Sequence, residues 1–190
     1  MSGAGSPERR VQVPFAEPAA RLRGWLASDR GRALAARAVP LVVFAVALWA
    51  RLDLVELHPP RLYVFDDMAF YDASARRLLD GTQTVWDAFT PVGYPALLAA
   101  VYRTLGEGAI GALQAVLGAL ACALGSSLTA RLARGLLAPL LAGLALAFYL
   151  PLALYTGLLM SETAFSCGVV AFAWLILTAV ERRSTARAMV

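Results

Sequence analysis

Lysine and asparagine are absent from this sequence, and cysteine is scarce. All 17 basic residues are arginines. Together with the abundant alanine and leucine, this bias is typical of a GC-rich genome, and we assign it no function. The two cysteines, Cys122 and Cys167, lie in apolar segments whose spacing resembles neither a disulfide framework nor a metal knuckle. We interpret both as small packing residues.

Acidic residues are fewer than basic ones, 13 against 17, and the formal net charge is +4. A positive excess can indicate nucleic-acid binding, but these arginines do not form a stripe interleaved with aromatic residues. Seven of them precede the first hydrophobic segment. We therefore interpret the arginines as signals of membrane topology and predict no nucleic-acid partner.

Hydrophobic residues dominate the composition. They make up 59% of the chain, and the mean hydropathy is +0.64. Soluble domains contain about half apolar residues, so this composition indicates an integral membrane protein. Because each backbone polar group in lipid needs a partner within its own segment, the expected fold class is all-α.

Four apolar segments are predicted to cross the membrane. Residues 1–37 form a basic cytoplasmic tail before them. Arg51 and Asp53 interrupt the first span and are expected to reach the interface at its outer end. A cleaved signal peptide is the alternative for this span, whose uninterrupted apolar core has only 13 residues, but a leader of 37 residues is too long for one. The predicted spans are residues 38–57, 109–130, 136–160 and 163–180.

A shorter apolar run, residues 93–105, is predicted not to cross. As a helix its 13 residues would span about 20 Å of a bilayer core of about 30 Å. The positive-inside rule agrees, because Arg131 and Arg134 are cytoplasmic like the tail only if this run stays on the outer side. The sequence therefore predicts both termini in the cytoplasm. It also predicts an outer loop, residues 58–108, with interfacial helices at 67–80 and 93–105.

Acidic residues collect on the outer side of this arrangement. Eight of the 13 lie between residues 52 and 108, and Glu162 precedes the last span on the same side. Asp66 and Asp67 are adjacent at the start of the helix predicted at 67–80. Capping that helix is the better explanation for one of them, but it explains both poorly because neighbouring like charges repel. Glu162 is either a helix cap or a functional carboxylate, since an acidic group beside an apolar span is costly without water or a partner.

The order of these features resembles the N-terminal portion of GT-C-fold glycosyltransferases. The succession is a basic tail, a span, an outer Asp-x-x-x-Tyr helix ending in Leu-Leu-Asp-Gly, a Pro-x-Gly-Tyr-Pro segment, two spans with arginines between them, and Ser-Glu. It is similar to bacterial members related to protein O-mannosyltransferases and to the lipid A aminoarabinose transferase. The resemblance covers residues 38–180. These enzymes use sugars linked to polyprenyl phosphate as donors.

The resemblance implies a transfer of sugar to an acceptor hydroxyl at the outer face of a bacterial inner membrane. Asp67 matches the catalytic aspartate, with Asp66 as the second choice, and Glu162 matches the second acidic position. Tyr71 and Tyr94 are expected to contact substrate. Arginines suit the donor phosphate, although a solvated or headgroup-facing side chain is the better explanation for any one of them. The arginines expected at the phosphate are Arg76, Arg77 and Arg103.

The family also bears on cofactor and partners. Some members use a divalent metal ion, for which Asp66, Asp67 and Glu162 would supply oxygen ligands. Members have more spans than this sequence, so the resemblance implies a second chain or a missing C-terminal half as a partner, besides membrane lipid.

Two other functions stay open. The first is a non-catalytic four-span scaffold or accessory subunit that binds a partner through its acidic loop. The second is a transporter segment with the carboxylates as ion sites, which fits less well because no acidic residue lies in the middle of a span.

Overall fold

Helices and short turns make up the part of the chain that a computed structural model describes, which is residues 28–88 and 91–188 together with Pro18. No strand occurs among these residues, so the predicted all-α class is confirmed. Three short 3-10 turns lie between the helices, at Val85–Ala88, Glu107–Ala109 and Tyr155–Gly157. The α-helices are α1 Asp29–Leu57, α2 Asp67–Asp80, α3 Gly93–Thr104, α4 Ile110–Leu132, α5 Leu137–Phe148, α6 Leu150–Leu154 and α7 Glu162–Ala188.

Helix α1 begins at Asp29 and not near residue 38, where the uninterrupted apolar run starts. Ser28 is its N-cap, and the Ser28 hydroxyl accepts a hydrogen bond of 3.1 Å from the backbone N–H of Gly31. Such a cap satisfies one of the N–H groups that a helix leaves without a partner in its first turn. The last part of the predicted basic tail is therefore helical, whereas residues 1–17 and 19–27 lie outside the described part of the chain.

Three helices in the described ranges are long and apolar enough to cross a membrane, and a bent pair of shorter helices can form a fourth crossing. The chain is therefore a multi-pass membrane protein. Helix α3 is not among these segments, and its 12 residues extend only about 18 Å. The three segments are Ala33–Leu57, Glu107–Leu132 and Glu162–Arg182, and the bent pair is Leu137–Phe148 with Leu150–Gly157.

The span predicted at 136–160 is a bent pair of helices and not one straight helix. The run is divided into α5 and α6, whose axes are bent by 56°. The break lies at Tyr149, whose ψ of 102° is extended. Pro151 contributes to it, because proline has no N–H to donate to the carbonyl of Ala147, four residues earlier.

The four crossings alternate in direction. At one end of the bundle, Arg131 near the end of α4 forms an ion pair of 3.2 Å with Glu181 near the end of α7. At the other end, a β-carbon on Gly111, near the start of α4, would overlap Val55, near the end of α1. We call this second end, where α1 ends and α4 and α7 begin, the loop end. Helices α2 and α3 pack there against Ile110 and Leu159.

Glycines bring the crossing helices close together. A β-carbon on Gly143 would lie 2.7 Å from Val43, and one on Gly118 would overlap the side chain of Arg51. Small residues at such contacts allow close backbone approach, which favours helix association in lipid. Helix α1 is thus packed against both α4 and α5.

Arg51 is buried, and the prediction that it reaches the interface is wrong. Its side chain is 1% exposed and lies between α1, α4 and α5. Nη1 of Arg51 donates to the carbonyl oxygens of Ala147 at 3.2 Å and of Ala47 at 3.4 Å. In a continuous helix residue 151 would donate to Ala147, so the guanidinium replaces the N–H that Pro151 lacks. Asp53, by contrast, is exposed.

A second buried polar residue, Gln114, joins three elements at the loop end. Its side-chain oxygen accepts a hydrogen bond of 2.8 Å from the Tyr94 hydroxyl of α3. Its side-chain nitrogen donates to the carbonyl oxygens of Thr156 at 2.9 Å and of Leu158 at 2.8 Å. Gln114 is 0% exposed, so each of these bonds is shielded from water. The amide therefore fixes the segment before α7 relative to α3 and α4.

Replacing Gln114 by leucine should destabilise the protein by about 3 kcal/mol, because the Tyr94 hydroxyl and two carbonyls lose their partner while staying buried. Thermal unfolding in detergent measures the change. Gln83→Leu is the matched control, since the Gln83 amide is exposed and makes one long bond of 3.4 Å. Equal melting temperatures for the two variants would show that the Gln114 bonds contribute nothing.

Candidate functional site

The predicted site residues lie at the loop end, where α2, α3 and the start of α7 pack together. Their shared core holds Met68 of α2, Leu98 of α3 and Leu159 of the turn before α7, each at most 3% exposed. Helix α2 forms because apolar side chains recur on one face, and it ends at Gly81, whose φ of 68° is left-handed. The first turn of the helix thereby joins this core through Met68.

Asp66 and Asp67 begin α2, and both are exposed. Neither carboxylate makes a hydrogen bond or ion pair with any residue in the described ranges. Asp66 occupies the N-cap position without a side-chain cap, so capping does not explain it. Asp67 lies in the first turn, where the helix dipole favours negative charge. The structure thus leaves both carboxylates available to a ligand.

The backbone of Asp66 is strained. Its φ of 50° and ψ of −127° make it the one non-glycine residue with positive φ in the described chain. Such a conformation costs about 1–3 kcal/mol and persists where the surrounding structure holds it. The strain turns the chain sharply between the exposed segment of Val64 and Phe65 and helix α2.

Tyr71, Tyr94 and Glu162 come together in the structure. The rings of Tyr71 and Tyr94 meet edge to face with centroids 5.2 Å apart. Burial, followed by electrostatic repulsion from Tyr102, Glu162 and Tyr71, raises the pKa of the Tyr94 hydroxyl, so Glu162 lies within electrostatic range of the tyrosine pair. One carboxylate oxygen of Glu162, Oε2, is buried without a hydrogen-bond partner. Asp67 precedes Tyr71 by one turn on the same face of α2.

Tyr94 does not present its hydroxyl as a substrate contact. The residue is 6% exposed, and the hydroxyl is bound to Gln114. Its prediction as a substrate-binding residue is therefore wrong for the hydroxyl, and its role is to hold Tyr71 and the start of α3 in place.

Arg76 and Arg77 are bound to carboxylates, contrary to the prediction that they face a donor phosphate. Arg76 pairs with Asp72 at 3.1 Å and with Glu107 at 2.7 Å. Arg77 donates from Nε to Oδ2 of Asp87 at 2.9 Å. Arg103, also predicted at the phosphate, is exposed near the end of α3.

A network around Asp72 joins the loop after α1 to α2 and α3. Arg61 pairs with Asp72 and with Glu107, each at 3.0 Å, and the Tyr102 hydroxyl donates to Asp72 at 2.8 Å. Burial raises the pKa of Asp72, but hydrogen bonds from Tyr102 and Arg76, with the charges of Arg61 and Arg76, hold it below its usual value. Asp72 is therefore ionised and structural.

Asp87 holds the segment after α2 against that helix. Its carboxylate accepts hydrogen bonds from the Ser74 hydroxyl at 2.7 Å and from the backbone N–H of Thr84 at 2.7 Å, besides the Arg77 bonds. The Arg77 bond, followed by the Thr84 N–H and the Ser74 hydroxyl, lowers the pKa of Asp87 well below its usual value. The segment is thus docked through a carboxylate that must be ionised.

The described residues do not form the metal site that the resemblance allows. No group of three or more histidine, cysteine, aspartate or glutamate side chains in residues 28–88 and 91–188 is placed to hold a metal ion. Asp66, Asp67 and Glu162 therefore do not form a ligand set in this structure.

The sequence reasoning missed Arg61, Tyr102 and Gln114. Gln114 carried a usable signal, because a polar side chain in the apolar run at 109–130 requires a partner in lipid. Arg61 and Tyr102 carried none, since their contacts join residues that are distant in sequence.

Comparison with protein-family models, curated proteins and solved structures finds no match to this chain.

Replacing Asp66 by glycine should stabilise the protein by about 1 kcal/mol, because glycine adopts positive φ without the clash that a β-carbon causes. Asp66→Ala keeps the β-carbon and should bring no gain. The difference in unfolding free energy between the two variants, measured in detergent, isolates the backbone strain. A glycine variant no more stable than the alanine variant would contradict it.

The pKa shift of Asp87 predicts a loss of stability in acid. The unfolded carboxyl has a pKa of about 4, and the folded value is lower, so the stabilising contribution is present above pH 4 and is lost as the pH falls below it. Asp87→Asn should therefore have a melting temperature that falls less steeply than the wild type between pH 5 and pH 3. The control is Asp80→Asn, which changes an exposed residue of α2 and should keep the wild-type slope.

Proposed function

We propose that this chain is a GT-C-type membrane glycosyltransferase, or the N-terminal half of one, that transfers a sugar from a polyprenyl-phosphate donor to an acceptor hydroxyl. The observation that carries the proposal is the pair of exposed, unpaired carboxylates of Asp66 and Asp67 at the loop end. They lie at the start of the helix whose Tyr71 packs against Tyr94, and Glu162 lies within electrostatic range of Tyr94.

Asp67 is the proposed base. In the transfer, the acceptor oxygen bonds to the anomeric carbon, the bond from that carbon to the phosphate oxygen breaks, and the acceptor proton passes to a carboxylate. A base at the edge of the bilayer meets a donor held in lipid and an acceptor dissolved in water, and it aligns the two reactants. The free carboxylate of Asp67 suits this role better than Asp72 or Asp87, whose oxygens are bound.

Glu162 is the second proposed acidic residue of the reaction. Its buried, unpartnered Oε2 is an acceptor that nothing in the described part of the chain satisfies, so a donor group of the sugar or acceptor is its expected partner. Of the three arginines predicted at the phosphate, Arg103 remains for that role, because Arg76 and Arg77 are held by carboxylates.

The distribution of charge supports an extracytoplasmic loop end, and we propose a bacterial inner membrane as the location. Arg131, Arg134 and Arg182 lie at the opposite end of the bundle, which the positive-inside rule assigns to the cytoplasm together with the N-terminus. The loop end carries most of the acidic residues. A second chain or a C-terminal half is proposed as the partner that completes the phosphate site.

Asp67→Asn should lower sugar transfer at least about 100-fold, because the amide cannot accept the proton, while membrane insertion and melting temperature stay unchanged. The assay uses membranes that contain the complete enzyme, a polyprenyl-phosphate sugar and the acceptor. Asp80→Asn is the control, since it removes an exposed carboxylate at the other end of the same helix. Wild-type transfer by Asp67→Asn would remove Asp67 from the mechanism.

A non-catalytic scaffold is the second candidate. The observation in its favour is the exposed apolar segment directly before Asp66, in which Tyr63 is 59% and Phe65 62% exposed. If the chain is a scaffold, Asp67→Asn should keep partner binding, whereas replacing Tyr63 and Phe65 by serine should abolish it. Glu162→Gln should then leave any measured rate of sugar transfer unchanged.

A further inference from the structure

Four apolar residues follow one another at the surface of the loop end, directly before Asp66. They are Leu62, Tyr63, Val64 and Phe65, and each is between 36% and 62% exposed. We call residues 62–65 the aromatic segment. Apolar side chains that are exposed singly are ordinary, but a contiguous run of them marks a surface that contacts a protein or a membrane.

The structure holds both ends of the aromatic segment. On one side, the Arg61 guanidinium pairs with Asp72 and with Glu107, each at 3.0 Å. On the other side, Asp66 keeps a backbone conformation that costs about 1–3 kcal/mol. None of the four apolar side chains belongs to the core that α2 and α3 form at the loop end. Their exposure is therefore a fixed feature of the fold.

Helix α1 sets the level of this end of the bundle in the membrane. From Arg37, which is exposed, to Leu57 the helix rises about 30 Å, which is the thickness of a bilayer core. The exposed carboxylates of Asp53 and Glu56 lie in the last two turns of the helix, where side chains reach the headgroups. The residues that directly follow Leu57 therefore lie at the surface of one leaflet.

Contacts of His58 keep the aromatic segment at this level. The centroid of the Tyr63 ring lies 5.6 Å from that of the His58 ring, and His58 is the C-cap of α1. The His58 carbonyl packs against the turn before α7, since a β-carbon on Gly157 would lie 3.0 Å from its oxygen. The segment thus continues the lipid-facing surface of α1, on which Leu57 is 75% exposed.

We propose that the aromatic segment inserts into the headgroup region of the leaflet at the loop end, so that its partner is membrane lipid. Tyrosine suits this depth, because its ring is apolar and its hydroxyl is polar, and such residues are enriched at membrane interfaces. Phe65 and the two aliphatic side chains gain free energy by leaving water. The carboxylates of Asp66 and Asp67 are then held at the height of the headgroups.

The inference concerns the placement of the loop end alone, and it holds whether or not the chain transfers sugar. A fluorescent NBD probe on Phe65→Cys tests it. Cys122 and Cys167 are buried, so the introduced thiol is the one that the reagent reaches, and the wild type measures background labelling. The labelled full chain is placed in phosphatidylcholine nanodiscs.

The probe at residue 65 should emit at shorter wavelength than the same probe on free cysteine, because it leaves water for the interface. Iodide dissolved in the water should quench it severalfold less than the free adduct. A phosphatidylcholine with a doxyl group near the top of its acyl chain should quench it. Tyr63→Cys should give the same three results.

Two further positions are controls. Phe172→Cys places the probe on an exposed residue in the middle of α7 and should give the full response to lipid. Gln83→Cys places it on an exposed polar residue after α2 and should give the response of water. All of the replaced side chains are exposed, so each variant should fold, which its melting temperature checks.

Three outcomes would overturn the proposal. Emission and iodide quenching equal to those of the free adduct would leave the segment in water. Protection from iodide without quenching by the doxyl lipid would mean that protein covers the segment. Equal protection at residue 83 would assign the effect to the loop end as a whole and not to the aromatic segment. None of these outcomes bears on sugar transfer, which Asp67→Asn tests separately.

Discussion

The arrangement of the loop end depends on the buried amide of Gln114. Through it, the Tyr94 hydroxyl of α3 and the Thr156 and Leu158 carbonyls share one side chain of α4. Within the described residues, these are the polar bonds that fix α3 relative to the segment that leads into α7. A wrong register would leave the same groups unsatisfied in an apolar core, where each costs about 1–3 kcal/mol. The amide therefore sets where Tyr94 stands, and with it the position of the Tyr71 ring that packs against it.

The packing of the bundle also depends on a second pair of residues, Arg51 and Pro151, which lie deeper in it. Proline bends the third crossing and leaves the Ala147 carbonyl without its helical donor, and the guanidinium supplies one. A charge buried within a membrane span is costly, and the hydrogen bonds from Arg51 to the carbonyls of Ala47 and Ala147 offset part of that cost. The bend at Pro151 and the burial of Arg51 therefore occur together, because the carbonyl that the bend frees is bound by the arginine. The glycine at position 118 makes room for it, since any side chain there would displace Arg51.

Features that follow from local pattern could be predicted from the sequence, and features that follow from packing could not. Composition and apolar run length indicated the helical membrane class, and the pattern that ends at Gly81 predicted helix α2 at 67–80, where it is found. The burial of Arg51 depends on which face of α1 meets α4, and the run of residues around it does not encode that face. The positive φ of Asp66 and the partners of Arg76 and Arg77 likewise arise from long-range contacts. The arrangement of the candidate site was therefore predictable only as a set of residues on one side of the membrane.

Pairing divides the acidic residues of the loop end into two groups with different consequences. Asp72, Asp87 and Glu107 are each bound to an arginine, and these pairs hold the outer segments against α2. Ion pairs at an exposed surface contribute little singly, and networks that share partners contribute more. Asp67 forms no ion pair with an arginine of the described residues, so its charge is not neutralised by a neighbour, and a strained backbone at Asp66 fixes the start of its helix. Asp80, at the other end of α2, is also exposed and outside this network, so the lack of a partner alone does not distinguish Asp66 and Asp67. What sets them apart is that they are adjacent, that Asp66 has a strained backbone, and that Asp67 lies one turn before Tyr71 on the same helix, and this placement supports the ligand proposed for them.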